Sequence, residues 1–359
     1  MLSEIETMRT VDTDLATLRQ RINDASAMRE EDVVQALMRE ARMDAPTLAK
    51  AQELAARLAQ GVRDARLDAG GVDLLTQEFS LDSREGIALM CLAEAMLRIP
   101  DTETRNQLIR DKIVDADWRA HIGKSPSLFV NATAWGLLVT GKLLKQPDEK
   151  ALAEALTRVV RKGGEAVVRA GVAYAMRMLG KQFVTGQTIE EAIGEGRKRE
   201  SSGYRYTYDM LGEAALTDED AQAYFESYRH AIEAIGKDAR ARGPIEGPGV
   251  SVKISGLHPR YESMQRERVL IELYPRLLEL AQLAKRYGIG FHLDQEESAR
   301  FELTLEMLER LCREPGLRGW NGIGISLQAY QKRGRAVADW IIALARSTGR
   351  RINIRLVKG

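Results

Sequence analysis

The sequence is poor in cysteine and has no excess of charge of either sign. Its 359 residues include two cysteines, Cys91 and Cys312. So few cysteines exclude a disulfide-stabilised scaffold and fit a reducing compartment. The 53 basic and 52 acidic residues give a net charge of +1, so nucleic-acid binding would need a local basic patch. Apolar residues make up 44%, enough for a buried core and too many for a disordered or collagen-like chain.

The sequence also lacks a segment typical of targeting to a membrane or insertion into it. Residues 1–20 carry several acidic side chains and no apolar core, which argues against a signal peptide. The longest charge-free stretch, residues 125–141, is shorter than the roughly 20 apolar residues of a transmembrane helix. We interpret it as a buried helix and expect a cytoplasmic protein.

Several common catalytic motifs are missing. There is no G-x-x-x-x-G-K-[ST] phosphate loop, no H-E-x-x-H zinc motif, no strand-to-helix G-x-G-x-x-G and no G-x-S-x-G elbow. The four histidines show no metal-ligand spacing. The sequence therefore predicts no metal site, and His258 is expected to be a hydrogen-bonding residue of a loop.

What is present falls into three predicted regions. Helical periodicity fills most of the first 200 residues, and β-type and helical segments alternate after Gly203. We predict a helical N-terminal arm at 1–70, a helical domain at 71–200 and a (β/α) region at 201–359. The β-type segments are 204–211, 250–255, 290–294, 322–328 and 352–357. The helical segments between them are 218–235, 266–287, 298–312 and 335–347. This alternation is typical of a parallel sheet with helical crossovers.

The β-type segments alternate apolar and polar residues, unlike strands buried on both faces. Their polar faces end in Asp209, Lys253, Asp294, Gln328 and Arg355. A (β/α) barrel explains this pattern, because polar groups line its C-terminal mouth. We therefore expect an α/β fold, a (β/α)8 TIM-type barrel of which about five βα units are present, preceded by an all-α region. The alternative is an ordinary sheet with one solvated face.

Lys253 is the most informative single residue, because a lysine within a strand is costly to bury unless it is paired or functional. It is either a fixed cation beside a cofactor or substrate, or the partner of Asp209 or Asp294 in a structural ion pair. Arg355 and Lys358 either contact an anion or cofactor or lie at a solvated strand end. The run from Asp294 to Glu297 either binds ligand hydroxyls or a metal or caps the following helix, and capping is expected for Glu296 and Glu297 more than for Asp294.

Longer strings of residues resemble a known family, the proline dehydrogenases of the bacterial proline utilization A type. The strings that resemble its first, second, fourth and fifth barrel strands are YTYDMLGE (206–213), VKIS with LHPRY (252–255, 257–261), QAYQKR (328–333) and RLVKG (355–359). Upstream strings match its helical region: LTQEFSL (75–81), residues 85–101 and RKGGE (161–165). The resemblance covers residues 70–359 in order.

The resemblance implies an activity and its partners. Family members oxidise L-proline to Δ1-pyrroline-5-carboxylate with FAD, in proline catabolism to glutamate, and pass the electrons to membrane quinone. They continue into an NAD-dependent aldehyde dehydrogenase domain that oxidises glutamate semialdehyde. A homo-oligomer and peripheral contact with the inner membrane face are the corresponding expectations.

The resemblance also implies roles for individual residues. Lys253 and Arg355 would lie near the reactive nitrogen of the flavin. Asp209 and Glu213 would line the proline site and complete the catalytic group. The residues that would hold the isoalloxazine or its chain are Asp294, Gln295, Gln328, Val357, Lys358 and Gly359.

The sequence departs from the family pattern in a few places. Gly256 and Gln295 stand where relatives have alanine, and residues 325–327 are more polar than usual, so flavin affinity or redox tuning is expected to differ. The family's remaining barrel strands and the arginine pair that holds the proline carboxylate are not in the sequence, so the 359-residue chain is expected to be inactive alone. Residues 1–30 do not resemble the repressor module of some relatives, and no nucleic-acid binding is expected.

Two other functions remain open from the residues alone. One is a non-catalytic helical interaction fragment. The other is an unrelated TIM-barrel lyase that uses Lys253 to form a Schiff base.

Overall fold

The computed structural model describes residues 14–66, 103–104, 184–212 and 214–358. The chain divides into two compact units, one of Met1–Arg42 with Thr188–Gly359 and one of Met43–Gln187. The helix expected at 125–141 and the resembling strings before residue 184 lie outside the described residues.

The described elements, numbered in chain order, alternate in the C-terminal part as the sequence predicts. The helices are α1 Leu15–Ala27, α2 Glu30–Glu40, α3 Ala45–Arg66, α4 Ile189–Glu200, α5 Asp218–Asp238, α6 Gly243–Glu246, α7 Arg266–Tyr287, α8 Phe301–Arg313 and α9 Gly334–Thr348. The strands are β1 Thr207–Asp209, β2 Gly249–Lys253, β3 Gly290–Asp294, β4 Ile323–Gln328 and β5 Asn353–Val357. Short 3₁₀ helices lie at Ile254–Leu257, Ser263–Gln265, Ser298–Arg300 and Pro315–Leu317.

The strands form one parallel sheet in the order β1-β2-β3-β4-β5, so each strand pairs with its neighbour in sequence. The sheet curls. Arg355 of β5 donates to the hydroxyl of Ser251 in β2 at 3.2 Å. In a flat sheet three strand spacings would separate these strands by about 14 Å, farther than an arginine side chain extends. A curled parallel sheet with helical crossovers is the wall of a (β/α) barrel, which confirms the predicted fold class.

The first two strands are shorter than predicted. Residues 204–206 precede β1, although the Tyr206 carbonyl already accepts a hydrogen bond from the Gly249 amide at 3.0 Å. At the end of β2, the Ser255 amide donates to the Glu296 carboxylate at 3.0 Å. This amide is therefore withdrawn from the strand ladder, and the chain turns into a 3₁₀ helix at Ile254–Leu257.

The apolar face of the sheet packs against the helices. Its residues are buried in the first four strands, for example Val252, Leu293 and Ile325. On β5 the same face is open among the described residues, and Leu356 is 69% exposed. The polar face is therefore the concave side, where a barrel carries its site.

Local sequence signals define the helix ends around the sheet. Thr217 and Asp220 form a capping box at the start of α5, with the Asp220 amide donating to the Thr217 hydroxyl at 3.1 Å. Helices α7 and α9 are each followed by a glycine, Gly288 and Gly349, whose φ values of 65° and 63° lie in the left-handed region that favours glycine.

The first helix packs against the fourth βα unit. Leu18 and Ile22 of α1 are buried, and the Arg19 guanidinium lies 4.8 Å from the centre of the Trp340 ring. Arg19 also donates to the Glu302 carboxylate at 2.6 Å. The segment before residue 42 thus belongs to the same unit as the sheet.

Candidate functional site

A charged cluster lies on the polar face at the carboxyl ends of the strands. Lys253 of β2 is the direct neighbour of Asp294 in β3, and its Nζ lies 3.5 Å from a carboxylate oxygen of Asp294. Nζ also contacts the Asp209 carboxylate from β1. The ion pairs that the sequence left as an alternative are therefore present, with both candidate partners.

Asp294 is the centre of this cluster. One of its carboxylate oxygens accepts from Ser251 at 2.7 Å, from Ser326 at 3.1 Å and from Arg355 at 3.0 Å, while the other faces Lys253. A carboxylate with this many donors is held in one orientation. It therefore fixes two cations, Lys253 and Arg355, on the same concave surface.

Arg355 reaches the cluster from β5, the edge strand opposite β1. It donates to Asp294 and to Ser251, and the Ser251 hydroxyl in turn donates to Asp294. The arginine side chain is nevertheless 35% exposed. A guanidinium that is fixed and partly open to solvent is suited to contact a bound ligand.

A buried histidine of β3, His292, lies next to the charged cluster, two residues before Asp294 on the same face of the strand. His292 is within 3.3 Å of the Ser326 hydroxyl. Burial lowers its pKa to about 4, and the nearby positive charge of Arg355 contributes in the same direction. At neutral pH this ring is uncharged, so it adds no further cation to the site.

Two glutamines extend the site towards the loops. The Gln328 side-chain amide donates to the main-chain oxygen of Gln295 at 3.1 Å, and the Gln295 side chain is buried. Val357 is the direct neighbour of Gln328 in the sheet, and Lys358 is exposed at the end of β5. Glu213 and Gly359, also predicted as site residues, lie outside the described residues.

The prediction that Glu296 and Glu297 cap the next helix is wrong. The Glu296 carboxylate accepts from the amide and the hydroxyl of Ser255, which ties β2 to the loop after β3. No capping hydrogen bond of Glu297 is formed. Burial raises the pKa of Glu296, although the bonds from Ser255 oppose this shift. His258, in contrast, is a loop hydrogen-bonding residue as predicted, with Glu272 at 3.0 Å.

Two serines of the site were not predicted from the sequence. Ser251 and Ser326 each lie on the polar face two residues before a predicted site residue, Lys253 and Gln328. The period of two was therefore a signal that could have found them.

Gly256 stands where relatives have alanine, and the structure leaves room for that methyl group. A Cβ added at Gly256 would meet Tyr224 at 3.5 Å, an ordinary contact distance.

Two further kinds of site are absent among the described residues. No helix among them is both long and apolar enough to cross a membrane. Within the same residues, no group of three or more His, Cys, Asp or Glu side chains is arranged to hold a metal ion.

Three family models match the chain in succession. They are the proline utilization A proline dehydrogenase N-terminal domain at residues 17–63, the DNA-binding domain of proline dehydrogenase at 71–183 and proline dehydrogenase at 192–359. The prediction of no nucleic-acid binding rested on residues 1–30, which lie outside the second match, and it stays a prediction.

Curated relatives and solved structures agree with these matches. The bifunctional protein PutA of Escherichia coli K12 is 56% identical over 92% of this chain, and that of Rhizobium meliloti is 49% identical over 96%. The chain spans 25% and 28% of their lengths. A mutant of Bradyrhizobium japonicum proline utilization A superposes with a TM-score of 0.62 at 39% identity, over 93% of this chain and 33% of that one. With these matches covering nearly all of its length, the chain belongs to the proline dehydrogenase family, and within it to the proline utilization A type.

Proposed function

We propose that this chain supplies the first part of a proline dehydrogenase barrel, which oxidises L-proline to Δ1-pyrroline-5-carboxylate with FAD. The observation that carries the proposal is the cluster of Lys253, Asp294 and Arg355 at the carboxyl ends of the strands. This is where (β/α) barrels hold their active sites. The cluster lies within the region that the proline dehydrogenase model matches.

Family membership implies a flavin cofactor, and the donor set on the concave face fits one. The isoalloxazine ring presents several acceptor atoms along one edge, and Lys253, Arg355 and the Gln328 amide are all donors. A bound flavin supplies an acceptor for the hydride that leaves proline. We propose FAD as the flavin, with Asp294, Gln295, Gln328, Val357, Lys358 and Gly359 as the other residues that hold it.

The residues of the chain have distinct roles in this proposal. Lys253 and Arg355 are fixed positive charges, which favour negative charge that develops beside them in the transition state. Asp294 keeps both in place through its hydrogen bonds. Asp209, whose carboxylate is the more exposed of the two beside Lys253, lines the proline site with Glu213.

The contacts of Lys253 argue against the Schiff-base lyase. A Schiff-base lysine acts as a neutral amine, whereas Nζ of Lys253 contacts two carboxylates. Such surroundings suit a fixed charge. The family matches likewise disfavour a non-catalytic interaction fragment, since the proline dehydrogenase model extends over residues 192–359.

The test uses the whole protein that carries this chain, with and without FAD. We expect saturable FAD binding and formation of Δ1-pyrroline-5-carboxylate that depends on both FAD and L-proline. Arg355→Met should lower the yield of product per unit time, while Arg351→Met, at an exposed arginine before β5, should not. A folded protein that binds no FAD would refute the proposal, and so would reductive trapping of a substrate on Lys253 by borohydride.

The wider expectations belong to the same proposal. Electrons would pass to membrane quinone, with peripheral contact at the inner membrane face of an otherwise cytoplasmic protein. A homo-oligomer and an NAD-dependent aldehyde dehydrogenase domain would complete the bifunctional enzyme.

A further inference from the structure

The loop after β4 contains a buried arginine that makes its hydrogen bonds to neutral groups. Arg333 is 7% exposed. Its guanidinium donates to the Gln331 side-chain oxygen at 2.8 Å and to the Ser298 hydroxyl at 2.9 Å, and it stacks 3.8 Å from the centre of the Phe301 ring. Burial lowers the pKa of this guanidinium. Burying a charged side chain costs free energy, so we expect Arg333 to have a specific role.

Arg333 begins a relay of side-chain amides whose direction is set by chemistry. A guanidinium only donates, so the atom of Gln331 that faces it is the oxygen. The Gln331 nitrogen therefore faces Gln328 and donates to its side-chain oxygen. The Gln328 nitrogen then donates to the main-chain oxygens of Gln295 at 3.1 Å and Glu296 at 3.4 Å.

The relay decides what Gln328 can offer to a ligand. An amide group free to rotate presents either its oxygen or its nitrogen. Here the oxygen accepts from Gln331, so the nitrogen is held on the opposite side of the amide. Of the two bonds that this nitrogen makes, the one to Glu296 at 3.4 Å is longer than an ordinary N–H···O bond, so this N–H is the one that an acceptor of a ligand can take. A flavin ring edge rich in acceptors requires donors, and an inverted Gln328 would present an acceptor to it.

We propose that Arg333 and Gln331 are positioning residues that hold Gln328 as a hydrogen-bond donor towards the flavin. This inference rests on the proposed function, because it takes the flavin as the ligand of Gln328. The competing interpretation is that Arg333 only joins the loop after β4 to the start of α8, through Ser298 and Phe301.

The variant that separates the two roles is Gln331→Glu. Its carboxylate still accepts from Arg333, now with opposite charge, so the connection between the loops is kept. It has no N–H to donate to Gln328, so the orientation of that amide is lost. We expect the thermal midpoint of the flavin-free protein to be unchanged or higher. We expect the Kd for FAD to rise roughly three- to tenfold, the effect of one hydrogen bond.

A double-mutant cycle removes the effect of the added negative charge. The Kd for FAD is measured for the whole protein, Gln331→Glu, Gln328→Met and the double variant, together with the visible absorption bands of the bound flavin. If the relay acts through Gln328, Gln331→Glu weakens binding and shifts the bands only where Gln328 is present. A charge effect alone would be the same in both backgrounds.

The outcomes distinguish this inference from the proposed function. FAD binding by the unsubstituted protein with equal effects of Gln331→Glu in both backgrounds would overturn the relay alone. An unchanged Kd in Gln331→Glu would do the same. Failure of the unsubstituted protein to bind FAD would overturn the proposed function and the relay with it.

Discussion

At the scale of single residues, the site depends on a few charges that hold one another in place. Asp294 accepts from two serines and Arg355 while it faces Lys253. Removing one partner of this largely buried carboxylate leaves the others incompletely paired. Substitutions at this site are therefore expected to change both chemistry and local order, and each needs a control that separates the two.

Lys253→Met tests the proposed role of the cation. We expect flavin reduction by proline to slow by about 100- to 1,000-fold, the effect of removing one preorganised group from a developing charge, with FAD retention much less affected. Anaerobic stopped-flow absorbance measures the rate. Lys285→Met is the matched control, because that lysine donates to main-chain oxygens of Gly316 and Arg318. An unchanged rate in Lys253→Met would reduce Lys253 to a structural ion pair.

His292 predicts an acid-sensitive component of stability. Its folded pKa of about 4 lies below the ordinary value of 6.5. Between these two pH values the histidine is protonated in the unfolded chain and neutral in the folded chain. The free energy of unfolding should therefore fall by about 2 to 3 kcal/mol between pH 7.5 and pH 4.5 through this group alone.

The comparison that isolates this component is His292→Asn. Urea unfolding of both proteins at several pH values should show a shallower loss of stability for the variant on the acid side. Parallel curves for the two proteins would show that His292 is not buried as a neutral ring.

At the scale of elements, much of the site followed from strand periodicity, and part of it did not. The alternation in residues 250–255 and 290–294 placed Lys253 and Asp294 on one face, because side chains alternate along a strand. Sequence did not show that the two residues are direct neighbours, since register depends on the crossovers. In the relay from Arg333 to Gln328, Gln328 ends β4 and followed from periodicity. Arg333 and Gln331 lie in the loop after β4, where no periodicity applies and side-chain rotamers decide the contacts.

The capping box of α5 gives a prediction for the element that follows β1. Thr217→Ala removes the hydroxyl that accepts from the Asp220 amide, and we expect a loss of about 1 kcal/mol in the free energy of unfolding. Urea midpoints measure it. Ser227→Ala is the control within the same helix, because the Ser227 hydroxyl donates to the main-chain oxygen of Ala223, one turn earlier, and caps no helix end. Equal effects of the two substitutions would contradict a capping role for Thr217.

At the scale of the whole molecule, the described part of the chain contains a curled sheet of five parallel strands, and the apolar face of this sheet is open on β5 among the described residues. The sequence predicted a parallel sheet because helical segments alternate with the β-type segments. Every described crossover between strands does contain a helix. The fold class and the family therefore followed from pattern and from resembling strings. The curvature that brings Arg355 to Ser251 was visible only in three dimensions.

The open face of β5 predicts self-association of the 359-residue chain. Leu356 is 69% exposed in the described part of the molecule, and an exposed apolar strand favours pairing with other chains. Leu356→Thr should lower light scattering at equal concentration and leave the urea midpoint unchanged. Leu327→Thr, at a buried position of β4, should instead lower the midpoint. Unaltered scattering in Leu356→Thr would show that this face does not drive association.

Proline oxidation at this site is tested by an anaerobic titration of the FAD-loaded whole protein with L-proline, followed by the visible absorbance of the flavin. We expect proline to bleach the oxidised flavin bands and Δ1-pyrroline-5-carboxylate to appear in equal amount. Dithionite serves as the control that the bound flavin can be reduced. A flavin that dithionite bleaches and proline leaves unchanged would show that this site does not oxidise proline.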